Sequence, residues 1–189
     1  MSKKLLMLLP HGAEEMEFVI GVDVLRRCGV TVTIAGLGDT KIKCSRDVII
    51  HADTTLDDAS KTDYDAIVLP GGLGGSKAMS ESSQLGDILK TFESNGKLIA
   101  AICAAPMVLL AHSIALGKSI TSYPSFKDQL SGKYKYIDDK IVVVDGNLVT
   151  SRGPGTAFDF ALKLGEILVG ADKVKQVASG MLYNMNIHN

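Results

Sequence analysis

Short apolar runs alternate with amphipathic segments along this chain, and that alternation restricts the possible folds more than any other feature. Residues 5–9, 31–35 and 98–102 predict strands, and the last of these runs contains no polar side chain. Residues 14–28 and 105–116, which follow such runs, predict helices. A strand that is apolar on both sides belongs in a sheet covered on both faces, and strands separated by helices form mainly parallel sheets.

The remaining predicted elements continue this order. Further strands are expected at residues 47–50, 65–69, 141–144 and 148–150, and further helices at residues 80–94, 156–169 and 172–182. Asp145, Gly146 and Asn147 have the composition of a hairpin turn, which predicts one antiparallel strand pair. No internal repeat or linker is visible in the 189 residues, so the sequence predicts one α/β domain over residues 1–189. We expect a three-layer sandwich with a mostly parallel sheet, helices on both faces and a small antiparallel hairpin.

The charge balance and the cysteines exclude several classes of protein. The 20 basic and 21 acidic side chains nearly cancel, and no basic stripe suggests binding to nucleic acid. The apolar run at residues 5–9 is too short for a signal peptide, and no run is long enough to cross a membrane. Cys28, Cys44 and Cys103 lack the spacing of a disulfide framework or a zinc site. The sequence therefore predicts a reduced cytoplasmic protein without a metal or another cofactor.

Cys103 is the strongest candidate for a reactive residue, because it directly follows the apolar strand at residues 98–102. In parallel α/β sheets, ligands bind beyond the carboxyl ends of the strands. The N–H groups and the dipole of the next helix are expected to lower the pKa of the thiol, and the Ala104 N–H to donate to an oxyanion. A free cysteine is more often a buried core residue, but the strand end and the small residues Ala104 and Ala105 favour a reactive turn.

Two other strand ends carry residues that suit a binding site. The loop after residues 65–69 contains Gly71 and Gly72, whose N–H groups could approach a ligand, with Gly72 as a second oxyanion donor. The same glycines could form only a flexible loop, and they lack the spacing of a nucleotide-binding motif. The loop after residues 148–150 contains Pro154, where a pocket wall and a simple shaped turn are equally supported.

Three carboxylates follow the first strand, and one of them could face Cys103. They are Glu14, Glu15 and Glu17. A carboxyl group beside the thiol would stabilise the thiolate only if the carboxyl were protonated. Negative charge also suits the first turn of a helix, so the residues alone do not decide which glutamate has this role.

The positions of the four histidines do not support a histidine partner for Cys103. His112 lies nine residues after Cys103, which is about 13 Å along a helix axis. His11 follows the first strand and could equally be solvated, His51 follows a short strand, and His188 lies near the end of the sequence. A protease of the Cys-His type is therefore disfavoured.

Five short segments, taken in order, resemble the ThiJ/PfpI superfamily and specifically its parkinsonism-associated deglycase branch. They lie at residues 12–17, 44–47, 69–72, 99–106 and 150–156. Each segment alone is weakly specific, whereas five in register are highly specific. The likeness extends through about residue 182.

The resemblance implies a flavodoxin-like sandwich that forms a homodimer in the cytoplasm, with the nucleus and the mitochondrion left open. It implies that Cys103 is the nucleophile and that Glu17 is its protonated partner. The other implied site residues are Gly71, Gly72 and Ala104 around an oxyanion or substrate, and Arg27, Arg46, Tyr123 and Pro154 at the pocket or the dimer contacts.

The activity implied by the resemblance is that of a cofactor-free cysteine enzyme of the glyoxalase or deglycase type. Its substrates would be methylglyoxal, converted to lactate, or early glycation adducts on protein side chains, with a role in protection against oxidative stress. The alternative is a non-enzymatic redox sensor and stress chaperone that is switched by oxidation of Cys103. Tyr123 stands where many members have a histidine, so no imidazole is available there, although a phenol could donate a hydrogen bond.

Overall fold

A sheet of seven strands forms the centre of the computed structural model, which describes residues 2–184. Along the chain, the strands are β1 (Lys4–Leu9), β2 (Thr31–Gly36), β3 (Lys41–Lys43), β4 (Ile49–His51), β5 (Thr54–Thr55), β6 (Ala66–Leu69), β7 (Leu98–Ile102), β8 (Ser119–Ile120), β9 (Lys135–Tyr136), β10 (Val142–Asp145) and β11 (Leu148–Ser151). The central sheet has the order β10-β11-β7-β6-β1-β2-β5, and only β10 and β11 pair in antiparallel fashion among its described strands. The predicted mostly parallel sheet and its hairpin are therefore confirmed.

Helices cover both faces of this sheet, which gives the three layers that the sequence predicts. They are α1 (Glu15–Arg27), α2 (Leu56–Ala59), α3 (Leu73–Glu81), α4 (Ser83–Ser94), α5 (Pro106–Ala111), α6 (Lys127–Leu130), α7 (Ala157–Val169) and α8 (Ala171–Gly180), with 3-10 turns at Pro124–Phe126 and Pro154–Thr156. Among the described residues, no helix combines the length and the apolar character that a membrane span needs.

Alternate residues of β7 enter two separate cores, as its wholly apolar sequence predicts. Leu98, Ala100 and Ile102 join a core that also contains side chains of α1, α7 and α8. Ile99 and Ala101 join a second core, built with side chains of α3, α4 and α5. Burial of each large apolar side chain contributes roughly 1.5–3 kcal/mol, so the end of β7 is held firmly from both faces.

One strand prediction is wrong in position. The sequence predicts a strand at residues 47–50, whereas the structure has a hairpin of β3 and β4, in which Lys41 pairs with His51. Asp47 has a φ of 67° and belongs to the turn of this hairpin. The alternation signal is weak here because β3 and β4 have three residues each and side chains that are mostly exposed.

The predicted helix at residues 80–94 is two helices in the structure. Ser82 leaves the helical conformation, and its hydroxyl accepts a hydrogen bond of 3.2 Å from the Leu85 N–H, which caps α4. The first of the two helices, α3, begins at Leu73, so Gly74 and Gly75 lie in its first turn, while Gly71 and Gly72 form the short connection from β6.

The predicted helix at residues 105–116 is shorter than expected. It ends at Ala111, because Ser113 and Ala115 have positive φ values of 58° and 57°. Both are rare for residues that carry a side chain, and sequence patterns alone do not reveal them.

Candidate active site

The carboxyl ends of β11, β7, β6 and β1 meet at one edge of the sheet, and their loops build a site there. Cys103 directly follows β7 and has a φ of 64°, in the left-handed region that a cysteine rarely adopts. Its N–H donates to the Ser151 carbonyl at 3.0 Å, and its carbonyl accepts from the Tyr123 N–H at 2.9 Å. These two bonds hold a strained turn that leaves the thiol half-buried.

Two main-chain N–H groups lie close enough to the sulfur of Cys103 to lower the pKa of its thiol. One belongs to Gly72, after β6, and the other to Ala104, at the start of the next turn. These are the two groups that the sequence proposes as oxyanion donors. The structure thus brings them to the same atom, from two neighbouring strand ends.

Gly71 lies against both Cys103 and Glu17, and there is no room for a side chain at this position. A Cβ atom at Gly71 would lie 2.6 Å from the Cys103 Cβ and 2.6 Å from the Glu17 Oε2. The Gly71 N–H also donates to that Glu17 oxygen at 2.7 Å. The close approach of the two reactive groups therefore requires glycine at this position.

Glu17 lies in the first turn of α1 and is only 3% exposed. Its second oxygen, Oε1, is buried and makes no well-formed hydrogen bond within residues 2–184, although the Cys103 thiol is near enough to interact with the carboxyl group. An unpaired buried carboxylate oxygen is costly, whereas a protonated oxygen facing the sulfur could donate a hydrogen bond to it. The local geometry therefore favours a proton on Glu17.

Burial raises the pKa of Glu17 to about 7, even though the hydrogen bond from the Gly71 N–H and the nearby Cys103 thiol act in the opposite direction. The carboxyl group therefore keeps its proton to much higher pH than an exposed glutamate. A proton at neutral pH is available within the site without any histidine.

The pKa of Cys103 departs from the sequence expectation. Burial, the charge of an ionised Glu17 and its hydrogen bond raise the pKa of the thiol to about 12, against the lowering effect of the Gly72 and Ala104 N–H groups. The expected donors are present, but burial and the carboxylate outweigh them. Two of the three causes depend on an ionised Glu17, so its protonation favours the thiolate.

The other two candidate glutamates have different partners. Glu14 caps α1, because its Oε2 accepts from the Glu17 N–H at 2.8 Å. The buried carboxylate of Glu15 accepts from the Ser45 hydroxyl and from the Arg46 N–H, each at 2.7 Å. Burial opposes ionisation of Glu15, but these hydrogen bonds prevail and lower its pKa. Of the three, only Glu17 contacts the thiol.

A cavity of about 640 Å³ opens beside Cys103. Its lining includes Arg46, Tyr123 and Pro154 from the sequence prediction, together with the donors Gly72 and Ala104. Arg27 does not line it and instead forms an exposed ion pair of 2.8 Å with Asp23. The remaining lining residues are Gly12, Glu14, Ser45, Leu73, Gly74, Ser125 and Phe126.

No histidine among the described residues lines this cavity. The His11 Nδ1 accepts from the Lys43 N–H at 3.2 Å, and the His112 Nε2 pairs with the Met79 carbonyl at 3.0 Å. His51 lies on the hairpin strand β4, and His188 lies outside the described residues. The part of the chain that the structure describes also contains no cluster of side chains suited to a metal ion.

The chain also matches a model of a known protein family. The model described as the DJ-1/PfpI family matches residues 3–167. The chain belongs to the DJ-1/PfpI family. The resemblance drawn from five short segments is thereby confirmed, and so is its DJ-1 branch, since curated relatives that match nearly the whole chain are DJ-1 proteins.

Three DJ-1 relatives illustrate the likeness. The protein dj-1beta of Drosophila melanogaster is 60% identical over 98% of this chain and 100% of its own length. Its crystal structure superposes with a TM-score of 0.96 and covers 97% of this chain and 100% of that chain. The Parkinson disease protein 7 homolog of Danio rerio is 49% identical over 96% of this chain and 97% of its own. The glutathione-independent glyoxalase DJR-1.2 of Caenorhabditis elegans is 43% identical over 92% of both chains.

Several features of this DJ-1 site are not evident from sequence patterns. The spacing of residues identifies neither the steric requirement at Gly71 nor the separate partners of Glu15. Leu73 and Phe126 line the cavity, although their local sequences resemble ordinary loop or helix segments. The one usable signal is position: each of these residues follows a strand end or lies within a few residues of Tyr123.

Proposed function

We propose that this protein is a cofactor-free cysteine enzyme of the glyoxalase or deglycase type. The observation that carries the proposal is the convergence of two N–H donors and a buried, readily protonated carboxyl group on the sulfur of Cys103. This arrangement suits addition of a thiolate to an aldehyde and stabilisation of the resulting oxyanion.

In the proposed reaction, the Cys103 thiolate attacks the aldehyde carbon of methylglyoxal and forms a C–S bond. The carbonyl oxygen becomes an oxyanion that accepts hydrogen bonds from Gly72 and Ala104, and Glu17 gives it a proton to complete the hemithioacetal. The resulting Glu17 carboxylate lies beside the carbon that now carries the sulfur and is placed to act as a base.

Rearrangement then proceeds without net oxidation. Glu17 removes the proton from the carbon bonded to sulfur and returns it to the neighbouring carbon, while the hydroxyl proton passes to the former ketone oxygen. The product is a lactoyl thioester of Cys103. Water hydrolyses this thioester, which releases lactic acid and regenerates the thiol.

Family membership supports an enzymatic role. One DJ-1 relative, 43% identical to this chain, is named a glutathione-independent glyoxalase. The same nucleophile and donors would suit the aldehyde-derived adducts that methylglyoxal forms on protein side chains, so those adducts are the second proposed substrate class. We further propose that the protein is a cytoplasmic homodimer with no metal or other cofactor, which light scattering and metal analysis of the purified protein would test.

The decisive experiment is lactate formation from methylglyoxal by the wild type and by Cys103→Ser, with Cys44→Ser as the matched control. We expect Cys103→Ser to lose lactate formation by at least about a thousand-fold, whereas Cys44→Ser retains it, because Cys44 is buried away from the donors. Equal rates in the wild type and Cys103→Ser would contradict the proposal.

A second candidate function is redox sensing coupled to stress chaperone activity. It is favoured by one observation: Cys103 is half-buried, whereas Cys28 and Cys44 are buried. One hydrogen peroxide would oxidise the thiolate to a sulfenate with release of water, and a second would give the sulfinate. Peroxide titration followed by peptide mass analysis should show the two oxygens on Cys103 first. Earlier oxidation of Cys28 or Cys44 would contradict this function.

A further inference from the structure

The cavity beside Cys103 is much larger than methylglyoxal. Its volume of about 640 Å³ equals that of roughly twenty water molecules at about 30 Å³ each. A cavity of this size lies in the range that encloses a drug-sized molecule. Methylglyoxal, with three carbons, would occupy only a small part of it, which leaves room for a larger group on the dicarbonyl.

The two sides of the cavity differ in chemistry. Gly12, Glu14, Ser45 and Arg46 line it beside the loop after β1. Tyr123, Phe126 and Pro154, with the single hydroxyl of Ser125, line it beside the turn at Cys103, to which the Tyr123 N–H is bonded. Cys103 follows β7, so the reacting sulfur adjoins the apolar side.

The polar side already has partners within the protein. Glu14 accepts from the Glu17 N–H, Ser45 donates to Glu15, and the Arg46 guanidinium donates to the Ser45 carbonyl at 3.2 Å. On the apolar side, Tyr123 is 48% exposed, so much of its ring is not covered by other parts of the protein. Apolar surface that faces a cavity gains stability when an apolar group of a ligand covers it.

Tyr123 is also fixed relative to the reacting sulfur. Its N–H donates to the carbonyl of Cys103 itself at 2.9 Å. Its ring lies beside Gly153, where a Cβ atom would be only 3.5 Å from the ring. An aromatic group held by this ring would therefore stand at a defined distance from Cys103, which is what a specificity residue needs.

We propose that Tyr123 is a specificity-determining residue that directs the site toward α-oxoaldehydes with an aromatic substituent, such as phenylglyoxal. The inference rests on the proposed glyoxalase function and names its substrate class. The aldehyde carbon reaches Cys103, and the phenyl group packs against the Tyr123 ring, with Phe126 and Pro154 completing the apolar side. Stacked or edge-to-face aromatic pairs stabilise such contacts beyond simple burial.

The test compares kcat/KM for phenylglyoxal, followed as mandelate formation, with kcat/KM for methylglyoxal, followed as lactate formation. The ratio of the two values is measured in the wild type, Tyr123→Ala, Tyr123→Phe and the control Leu116→Ala, whose side chain is similarly exposed but lies outside the cavity. Comparing ratios between variants cancels the different intrinsic reactivities of the two aldehydes.

We expect Tyr123→Ala to lower the phenylglyoxal-to-methylglyoxal ratio roughly ten-fold, since it removes the aromatic contact. Tyr123→Phe and Leu116→Ala should keep the wild-type ratio. Mandelate should likewise inhibit methylglyoxal turnover more strongly than lactate does, and Tyr123→Ala should remove that difference.

An unchanged ratio in Tyr123→Ala would overturn the inference while leaving the glyoxalase function intact. A ten-fold fall in Tyr123→Phe would also overturn it, because the hydroxyl rather than the ring would then be responsible. Failure of the wild type to convert either aldehyde would instead remove the proposed function itself, and this inference with it.

Discussion

Glu15 and Glu17 lie two residues apart in the first turn of α1, and each is close to a cysteine, yet the two pairs differ in every property that governs reactivity. Glu15 is near Cys44, and both of its oxygens accept short hydrogen bonds, so burial does not prevent its ionisation and its pKa is lowered. Glu17 is near Cys103 and has one unpaired oxygen, and burial raises its pKa to about 7.

The pKa is raised in both thiols, but the groups that surround them differ. Burial and the charges of Glu15 and Glu14 raise the pKa of Cys44 to about 11, and no N–H donor opposes this rise. Cys103 has two N–H donors, a neighbouring acid able to carry a proton, and a cavity in front of it. The comparison teaches that a cysteine beside a carboxylate is inert unless the carboxylate can hold a proton and the backbone can hold the negative charge.

The largest expected difference between the pairs is in alkylation rate. At neutral pH, iodoacetamide should modify Cys103 roughly a thousand times faster than Cys44, because Cys44 is 4% exposed and reacts only after local opening that costs roughly 4 kcal/mol. Peptide mass spectrometry over time would measure both rates, with urea-unfolded protein as the control in which the rates converge. Comparable rates in the folded protein would remove the distinction between the two thiols.

The second prediction concerns the cost of burying Glu17. Its pKa rises from 4.5 to about 7 on folding, so the folded protein binds the proton more tightly, and stability falls as the pH rises through this interval. Above pH 7 the loss reaches about 3 kcal/mol, the equivalent of the shift. Glu17→Gln has no such charge to bury. Its stability relative to that of the wild type should therefore increase as the pH rises from about 4.5 to about 7.

Denaturant unfolding of the two proteins at several pH values would measure this gain. Glu15→Gln is the matched control, since the pKa of Glu15 is lowered and the stability difference of this variant from the wild type should stay constant between about pH 4.5 and pH 7. If the free energy of unfolding differed between Glu17→Gln and the wild type by the same amount at all pH values, the pKa of Glu17 would not be raised by folding.

The third prediction tests the close approach of Cys103 and Glu17. Gly71→Ala places a methyl group 2.6 Å from both residues, so it should destabilise the protein by roughly 2 kcal/mol and lower lactate formation at least about ten-fold. Gly132→Ala is the control, because a Cβ there meets no atom within 4 Å. Equal stability and activity of the two variants would contradict the packing around Gly71.

The smallest expected effect lies at the Cys44 pair. Ser45→Ala removes one donor from the Glu15 carboxylate and should cost about 1 kcal/mol at neutral pH. Glu15 has a lowered pKa in the folded protein, so its stabilising effect is present above its ordinary pKa of 4.5 and is lost as the pH falls below it. The difference from the wild type should therefore disappear in acid, and Cys103 alkylation should not change. An altered Cys103 rate would mean that the two pairs are coupled.

The sequence predicts the fold and the position of Cys103 at a strand end well, for a physical reason. The apolar runs of β1 and β7 are long enough to identify buried strands, and the residue after a buried parallel strand lies at the ligand-binding edge. Cys103 could therefore be located from periodicity alone. The hairpin of β3 and β4 could not, because its short strands are mostly exposed and carry little alternation.

Residue spacing does not identify which glutamate lies beside Cys103. Glu14, Glu15 and Glu17 are chemically alike and lie within one turn of α1, so only tertiary contacts separate a cap, a carboxylate and a proton carrier. The family resemblance singles out Glu17, whereas residue spacing does not. The expected lowering of the Cys103 pKa was wrong for a related reason, since the burial and the charge of Glu17 that raise it depend on the folded environment.

The central claim is that Cys103 and Glu17 share a proton, and the pH dependence of Cys103 alkylation tests it most directly. The pair should lose its first proton with an apparent pKa of about 7. Because that proton can leave from either group, a fixed fraction of the pair then holds a thiolate beside a protonated Glu17, and the alkylation rate should rise with the same apparent pKa. In Glu17→Gln the thiol must titrate alone, and the apparent pKa should be higher by at least about one unit. A wild-type value of about 8.5, as in a free thiol, that is unchanged in Glu17→Gln would contradict the claim.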